Sequence, residues 1–527
     1  MRQAIADGNL VSVGDNLAFR QIKKMRGDLR DYRRVFGDVQ MLRQSLRQAR
    51  KDKDFERIKV CSNFLWKILF IPDYITVEAK TKSQYRKIAR NGFVVNGQRF
   101  VRFSASAGNI RHNCVQFIAE DLYEPVTKAL MCGLDQKITH INLAKMSAYF
   151  SLATSSVLWV STPRVCIIDD FETTLPDQKI DWICNGAGEK KHIEERTMDL
   201  TLNSCDGQGL VDPDMACAWS DEMGLDYVAS SYVVRSVFIK GNLVPFDFKE
   251  YAREHGISTI YDHWKHPHNI EDIDVLVSTS QFKMYKYYSC WEEYLRFAEA
   301  AGIQWGVARY NKKRDPEMSL TNYQYIQIMD IDKEDIDQLI APTIEWIQNV
   351  CSGDELYALL YCFGGFDGDQ CVGYNDVYTR AQNLAMKAVV RDQKFLKDSY
   401  VQRKIYRNIV ESINRAKLGK IWMRGNYQFM ISDPIAQCRS ALGLEPIGSV
   451  PADCVYSRFW SDRGLKGREV VLLRSPCLDK HEANPCRVFA NKETDKWFSW
   501  IQSGIIYSIY DTSTLRHSDS DSSIRVH

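Results

Sequence analysis

Three separated signals in one order constrain this chain most. The first is Cys205-Asp206-Gly207-Gln208-Gly209-Leu210, the second Arg235-Ser236-Val237-Phe238-Ile239-Lys240-Gly241. The third is His517-Ser518-Asp519-Ser520-Asp521, six residues from the end of the chain. Two glycines spaced as in Asp206-Gly207-x-Gly209 permit a tight turn and a close approach of backbone to a ligand, although Asp-Gly alone is a common turn. Arg235 and Lys240 lie in an alternating stretch, 233–248. Read as one strand, it turns 235, 237 and 239 one way and 236, 238 and 240 the other. Lys240 before Gly241 suits a phosphate at an open turn; it also fits an exposed strand-end lysine. Asp519 and Asp521 set two hard carboxylates on one side of an extended loop, the donor type Mg²⁺ prefers. Taken alone, they also fit a Ser/Asp tail.

At 527 residues the chain has room for about three or four domains. Its 45% hydrophobic and 26% charged residues are those of a globular protein. No apolar run approaches a spanning helix, and Met1-Arg2-Gln3-Ala4 lacks an apolar signal core. The expectation is a soluble, cytoplasmic protein without a membrane partner. The 15 cysteines include no Cys-x-x-Cys pair, so they read as reduced thiols. Net charge is only +2, yet residues 1–60 hold 15 Lys and Arg against 8 Asp and Glu, and residues 380–420 hold 11 against 3. Local basic faces on an otherwise acidic chain suit a channel for phosphates, and each segment alone also fits a solvated helix.

Along the chain, 17–60 reads as helical, and 93–103 as a hairpin around Asn96-Gly97. Residues 115–130 and 142–155 read as helices. A β-rich stretch starts at Val165-Cys166-Ile167-Ile168, with turns expected at Gly186-Ala187-Gly188, Asp206-Gly207 and Gly241-Asn242. It fits a small barrel better than a parallel α/β sheet. Residues 291–420 read as mainly helical, ending in a long basic helix over 377–418 stopped by Gly419. Short strands return over 421–510. Two further groups offer metal-ligand types. Phe366-Asp367-Gly368-Asp369 reads as a glycine-rich turn, and His263, His266 and His268 share a polar loop with Pro267 and no cysteine pair.

With these residues in place, the chain resembles the single-chain RNA polymerases built on two double-psi β-barrels. These include the eukaryotic RNA-silencing RNA-dependent enzymes and, closer in look, the DNA-dependent enzymes of crAss-like and other tailed phages. The Asp-Gly-x-Gly and Lys-Gly of the first barrel match Asp206-Gly207-Gln208-Gly209 and Lys240-Gly241. Further similar stretches are Ser104-Ala105-Ser106 with Ile110-Arg111, Lys145 to Phe150, Pro163-Arg164-Val165-Cys166, Ser280 to Met284, Thr321 to Gln324, Gly425 to Pro434 and Arg474-Ser475-Pro476. The similarity spans roughly 90–521, and it rests on number and order rather than on any one motif.

The resemblance implies an α+β fold: a helical head (1–90), a mixed α/β region (91–162), a first double-psi β-barrel (163–290), a helical connector (291–420) and an incomplete second barrel (421–527). It implies template-directed nucleotidyl transfer by a two-metal mechanism. Lys240 would be catalytic, on the phosphates. Asp206, Gly207, Gly209, Arg235, Gly241 and Arg474 would bind nucleotide or nucleic acid. Asp519 and Asp521 would be catalytic ligands of Mg²⁺, the implied cofactor. Partners would be a template, DNA rather than RNA, with NTPs and an RNA product, in a phage-infected cell or packaged in a virion. The family's loop is Asp-x-Asp-Gly-Asp; here its glycine and third aspartate fall at Ser522 and Ser523, or Asp521 is the first aspartate and the rest are lost. The expectation is that this polypeptide alone lacks robust activity, unless a second chain completes the second barrel. Alternatives are an RNA-dependent enzyme of the silencing type and a non-catalytic nucleic-acid-binding protein. No phosphate loop, dinucleotide fingerprint or nucleophile elbow points to a metabolic enzyme.

Overall fold

The computed structural model describes residues 10–11, 15–27, 41–46, 48–50, 52, 54–69, 71–104, 113–134, 143–184, 192–313, 315–351, 388–389, 391–517 and 524–526. The N-terminal part sets helices on an antiparallel sheet. Its elements are β1 (Leu10–Val11), α1 (Leu17–Met25), β2 (Tyr74–Glu78), α2 (Lys82–Asn91), β3 (Phe93–Val95), β4 (Gln98–Ser104), β5 (Cys114–Ala119) and α3 (Glu120–Leu130). The strand order is β1-β2-β5-β4-β3. The expected hairpin is present: Asn96 and Gly97 take φ of 50° and 82°, both positive as a two-residue type I′ connection demands. The helix expected over 115–130 begins only at Glu120. Residues 115–119 are buried on both faces. Val115 and Phe117 pack with Phe100 under α2, while Ile118 joins the main core on the other side. A doubly buried run rich in β-branched and aromatic residues makes a strand. Helical residues within 17–60 come in pieces: α1, then 41–46, then a helix over Phe55–Leu69.

The next strands are β6 (Leu158–Val160), β7 (Val165–Ile168), β8 (Glu172–Cys184), β9 (His192–Asn203), β10 (Gln208–Val211), β11 (Tyr232–Ser236), β12 (Ile239–Pro245), β13 (Thr259–Tyr261), β14 (Pro267–Asn269), β15 (Val275–Ser278) and β16 (Trp305–Tyr310). Seven form one curved sheet in the order β6-β16-β11-β12-β10-β15-β7. It is mixed: β10–β12 and β15–β7 are parallel, the other pairs antiparallel. The chain does not turn at Gly241-Asn242, which sit inside β12. It turns at Val237-Phe238, with Ser236 opposite Ile239. Both turn residues are apolar and buried, so the core reads this turn where polar punctuation does not mark it. Gly186-Ala187-Gly188 and Phe366-Asp367-Gly368-Asp369 lie outside the described residues.

Beyond β17 (Met318–Leu320) come helix Lys333–Cys351, α4 (Ser399–Lys417), β18 (Trp422–Arg424), β19 (Met430–Ile431), α5 (Pro434–Ala441), β20 (Cys454–Tyr456), β21 (Glu469–Leu472), β22 (Asn484–Val488), β23 (Ile505–Tyr507) and β24 (Ile524–Val526). The long basic helix starts later than its charge pattern predicts. Asp398 caps it, accepting from the N–H groups of Tyr400 and Val401, and Gly419 follows its end at φ 73°. A second sheet runs β19-β23-β20-β22-β21, and β24 pairs with β9. The seven-stranded sheet and this second one share one core. Leu210, Val244 and Leu276 of the first pack in one cluster with Ile431, Tyr456 and Ile506 of the second. Among the described residues no helix is long and apolar enough to cross a membrane, and the cysteines form no disulfide.

One buried carboxylate organises the entry to the second sheet. Asp433 is fully buried. Its Oδ1 accepts from the N–H groups of Ile435 and Ala436 at the start of α5. Its Oδ2 accepts from the N–H and Oγ of Ser449 and the N–H of Val450. Asp433→Ala should cost about 3 kcal/mol, since it removes a helix cap and strands donors around a dry site. Urea unfolding measures this, and a shift below about 1 kcal/mol would show the clamp to be incidental.

Candidate functional site

Asp206 and Gly207 form the turn that feeds β10. Gln208 N donates to Cys205 O at 3.0 Å, and Gly207 takes φ 73° with open space where a Cβ would stand. Gly207 N donates to Ser280 Oγ at 2.7 Å, and Ser280 Oγ donates to Asp170 Oδ1 at 2.9 Å. Asp170 thus holds the turn through a serine.

Gly209 and Gly241 act differently. Gln281 is fully buried and its side chain runs across the parallel pair β10–β12. Its Nε2 donates to Gly207 O at 3.3 Å and Asn242 O at 3.0 Å, and its Oε1 accepts from Ser278 N at 3.0 Å. A Cβ on Gly241 would stand 2.2 Å from Gln281 Nε2, and one on Gly209 2.3 Å from Leu276 O of β15 and 2.5 Å from Gln281 Oε1. The glycines make room for a glutamine that fastens two strands and the Asp-Gly turn together. Gly209 therefore supports the site from beneath and does not line it.

The register of β11 and β12 puts Arg235 directly opposite Lys240. Directly opposed residues share a face, which corrects the alternation expected for one continuous strand. Lys240 is exposed and Arg235 half-buried. Neither makes an ion pair among the described residues. Arg235 donates only to its neighbour's carbonyl, Val234 O, at 2.7 Å, and its Nε is buried without an acceptor. Burial, with Arg309 nearby, pulls its guanidinium down to about 10. A half-buried guanidinium with no counter-charge favours an anion beside it.

These groups open on a cavity of about 540 Å³ between the two sheets. Asp206, Gly207, Arg235, Lys240, Gly241 and Lys283 line it from the first sheet's side; Ser432, Arg474, Tyr507, Asp511 and Thr514 line it from the second. Cations outnumber carboxylates on its wall, with Arg235, Lys240, Lys283 and Arg474 against Asp206 and Asp511. Asp511 holds backbone, accepting from Asp453 N and Ser513 N. His517 is buried, its Nε2 within 3.2 Å of Tyr507 Oη, and burial with Arg474 keeps its ring below the usual histidine range.

Six of the nine sequence-expected residues thus share one cavity. Asp519 and Asp521 lie outside the described residues. The three loop histidines do not converge on one ion: His263 pairs with Asp169, and His266 and His268 with Asp262. Among the described residues, Cys184, His192 and Glu194 alone bring three such ligand atoms within 4.8 Å, on the exposed β8–β9 hairpin.

Sequence reasoning missed three residues. Lys283 adds a cation to the wall, and Gln281 explains two glycines. Gln208 links the sheets: its Nε2 donates to Ser432 O at 2.9 Å and Gln437 Oε1 at 3.0 Å, its Oε1 accepts from Ser432 N at 2.8 Å, and Gln437 Nε2 donates to Gln208 O at 2.9 Å. Only the fixed glycines around Gln208 hinted at it.

No family model matches the chain. It is 27% identical over 451 residues to the DNA-directed RNA polymerase YonO of Bacillus phage SPbeta, covering 83% of this chain and 49% of that protein. The chain resembles the single-chain RNA polymerases. Its fold is similar to that of the RNA dependent RNA polymerase QDE-1 from Thielavia terrestris, with a TM-score of 0.51 and 13% identity, over 83% of this chain and 46% of that one. The chain thus spans about half the length of each.

Proposed function

We propose that this chain is the core portion of a template-directed RNA polymerase, a nucleotidyltransferase that copies DNA. The observation that carries the reading is the cavity that gathers Asp206, Gly207, Arg235, Lys240 and Gly241 from one sheet and Arg474 from another. On this reading the two sheets belong to two double-psi β-barrels. Arg235 and Lys240 hold the nucleotide's phosphates from one wall, and Arg474 holds the nucleotide or RNA end from the other. The cations orient the triphosphate and stabilise charge that builds on it during transfer.

Asp519 and Asp521, which lie outside the described residues, are the proposed Mg²⁺ ligands, because carboxylates are the hard-oxygen donors that ion takes. When bound, Mg²⁺ supplies a Lewis acid to the attacking 3′-hydroxyl and the leaving pyrophosphate. A second reading, RNA as template, draws on the similarity to QDE-1.

The test is Mg²⁺-dependent NTP binding, followed by synthesis on single-stranded DNA and RNA templates. Lys240→Ala should weaken NTP binding about tenfold to a hundredfold, the worth of one charge-assisted phosphate contact. An NTP that does not bind, or that binds Lys240→Ala equally well, would overturn the reading. Binding without synthesis fits the expected lack of robust activity in this chain alone; extension at the rate of a full-length relative refutes that expectation.

A further inference from the structure

A second concavity, of about 790 Å³, lies between α2, β4 and α3, and shares no residue with the cavity above. Its wall carries Arg86, Arg90, Arg99 and Arg102 against Glu120 and Glu124, with Tyr85 and Tyr123. Glu120 is spent on Arg99, at 3.0 Å. Arg86, Arg90 and Arg102 are exposed and make no ion pair among the described residues. Helix α2 holds no acidic residue and buries none of its side chains fully. Lys82, Arg86 and Arg90 follow one another at four-residue steps, so three cations stack along one face and repel. A structural face would intersperse acids here; a row of like charges in a concave wall is what a polyanion relieves. Tyr123 is 42% exposed and offers a ring face on which an unpaired base stacks.

We propose that this groove is a second nucleic-acid site, which grips the phosphate backbone of a single strand and stacks a base on Tyr123. It lies on the N-terminal part of the fold, outside the cavity proposed for chemistry, and gives the chain a hold on a strand beyond the point of nucleotide addition. The groove's charge stands whether or not the polymerase reading does.

The test is fluorescence anisotropy of the full chain with short labelled strands over a salt series. Wild type should bind single-stranded DNA or RNA more tightly than duplex DNA. Arg86→Ala, Arg90→Ala and Arg102→Ala together should weaken binding about tenfold or more and flatten the salt slope by about 2, three contacts at roughly 0.7 each. The three matching lysine substitutions should retain most of the binding. Glu124→Gln, which needs no tolerance for lost arginines, should tighten it. NTP binding should be unchanged in all of them, which separates this site from the cavity. An unchanged slope and affinity in the alanine variant, a preference for duplex, or no binding by wild type would overturn the proposal. Equal binding of DNA and RNA supports a backbone grip; a preference for one assigns the strand.

Discussion

Gly241→Ala should destabilise the protein by on the order of 4 kcal/mol, and Gly207→Ala by only about 1 kcal/mol. The two glycines lie side by side where β10 and β12 begin to pair, yet their surroundings differ. At Gly207 the cost is backbone alone, because its φ of 73° suits a residue without Cβ and nothing stands within 4 Å. At Gly241 a methyl would stand 2.2 Å from Gln281 Nε2 and 2.6 Å from Gly207 O. The backbone oxygen cannot retreat without breaking β10 from β12, so Gln281 must leave. Its departure strands Ser278 N, which now donates to its Oε1, in a dry interior. Overpacking and an orphaned buried donor then add. Urea midpoints of the two single variants test the ranking. A double variant, Gly241→Ala with Gln281→Ala, should recover part of the loss, because the clash partner is gone. Equal midpoints for Gly207→Ala and Gly241→Ala would sink this account.

That contrast also marks what the sequence could show. Asp206-Gly207-x-Gly209 and Lys240-Gly241 were legible as candidates through their order in the chain and the resemblance it carries, since each alone also fits a common turn or a strand-end lysine. Why each glycine is there was not legible, since Gln281 lies 72 residues beyond Gly209 in the chain. The hairpin at Asn96-Gly97 was readable from two residues, because its turn type demands positive φ at both. The turn at Val237-Phe238 was not, and missing it placed Arg235 and Lys240 on opposite faces when they share one. Strand β5 escaped for a related reason: burial on both faces erases the period of two that betrays a strand. Of the acidic tail, the chain as far as His517 is placed, while Asp519 and Asp521 lie outside the described residues.

Gln208→Leu should cost on the order of 4 kcal/mol and weaken NTP binding without touching a nucleotide. The change keeps the side chain's bulk and removes its three hydrogen bonds to Ser432 and Gln437. Gln208 and Gln437 are 4% and 1% exposed, so water cannot replace what is lost. The apolar seam around Leu210, Ile431 and Ile506 remains and still holds the sheets together. Such a seam is non-directional, and it leaves their register loose; the glutamine pair supplies the direction. The cavity needs that register, because Lys240 and Arg474 reach it from different sheets. A triphosphate held from both sides feels a slip of about 1 Å between the walls as lost binding. Hydrogen exchange should therefore speed at Ser432 and in β10 while the N-terminal sheet keeps its protection. Unchanged exchange at Ser432 with full NTP affinity would mean that apolar packing alone sets the register, and that the residue between the two glycines is there only to fill space.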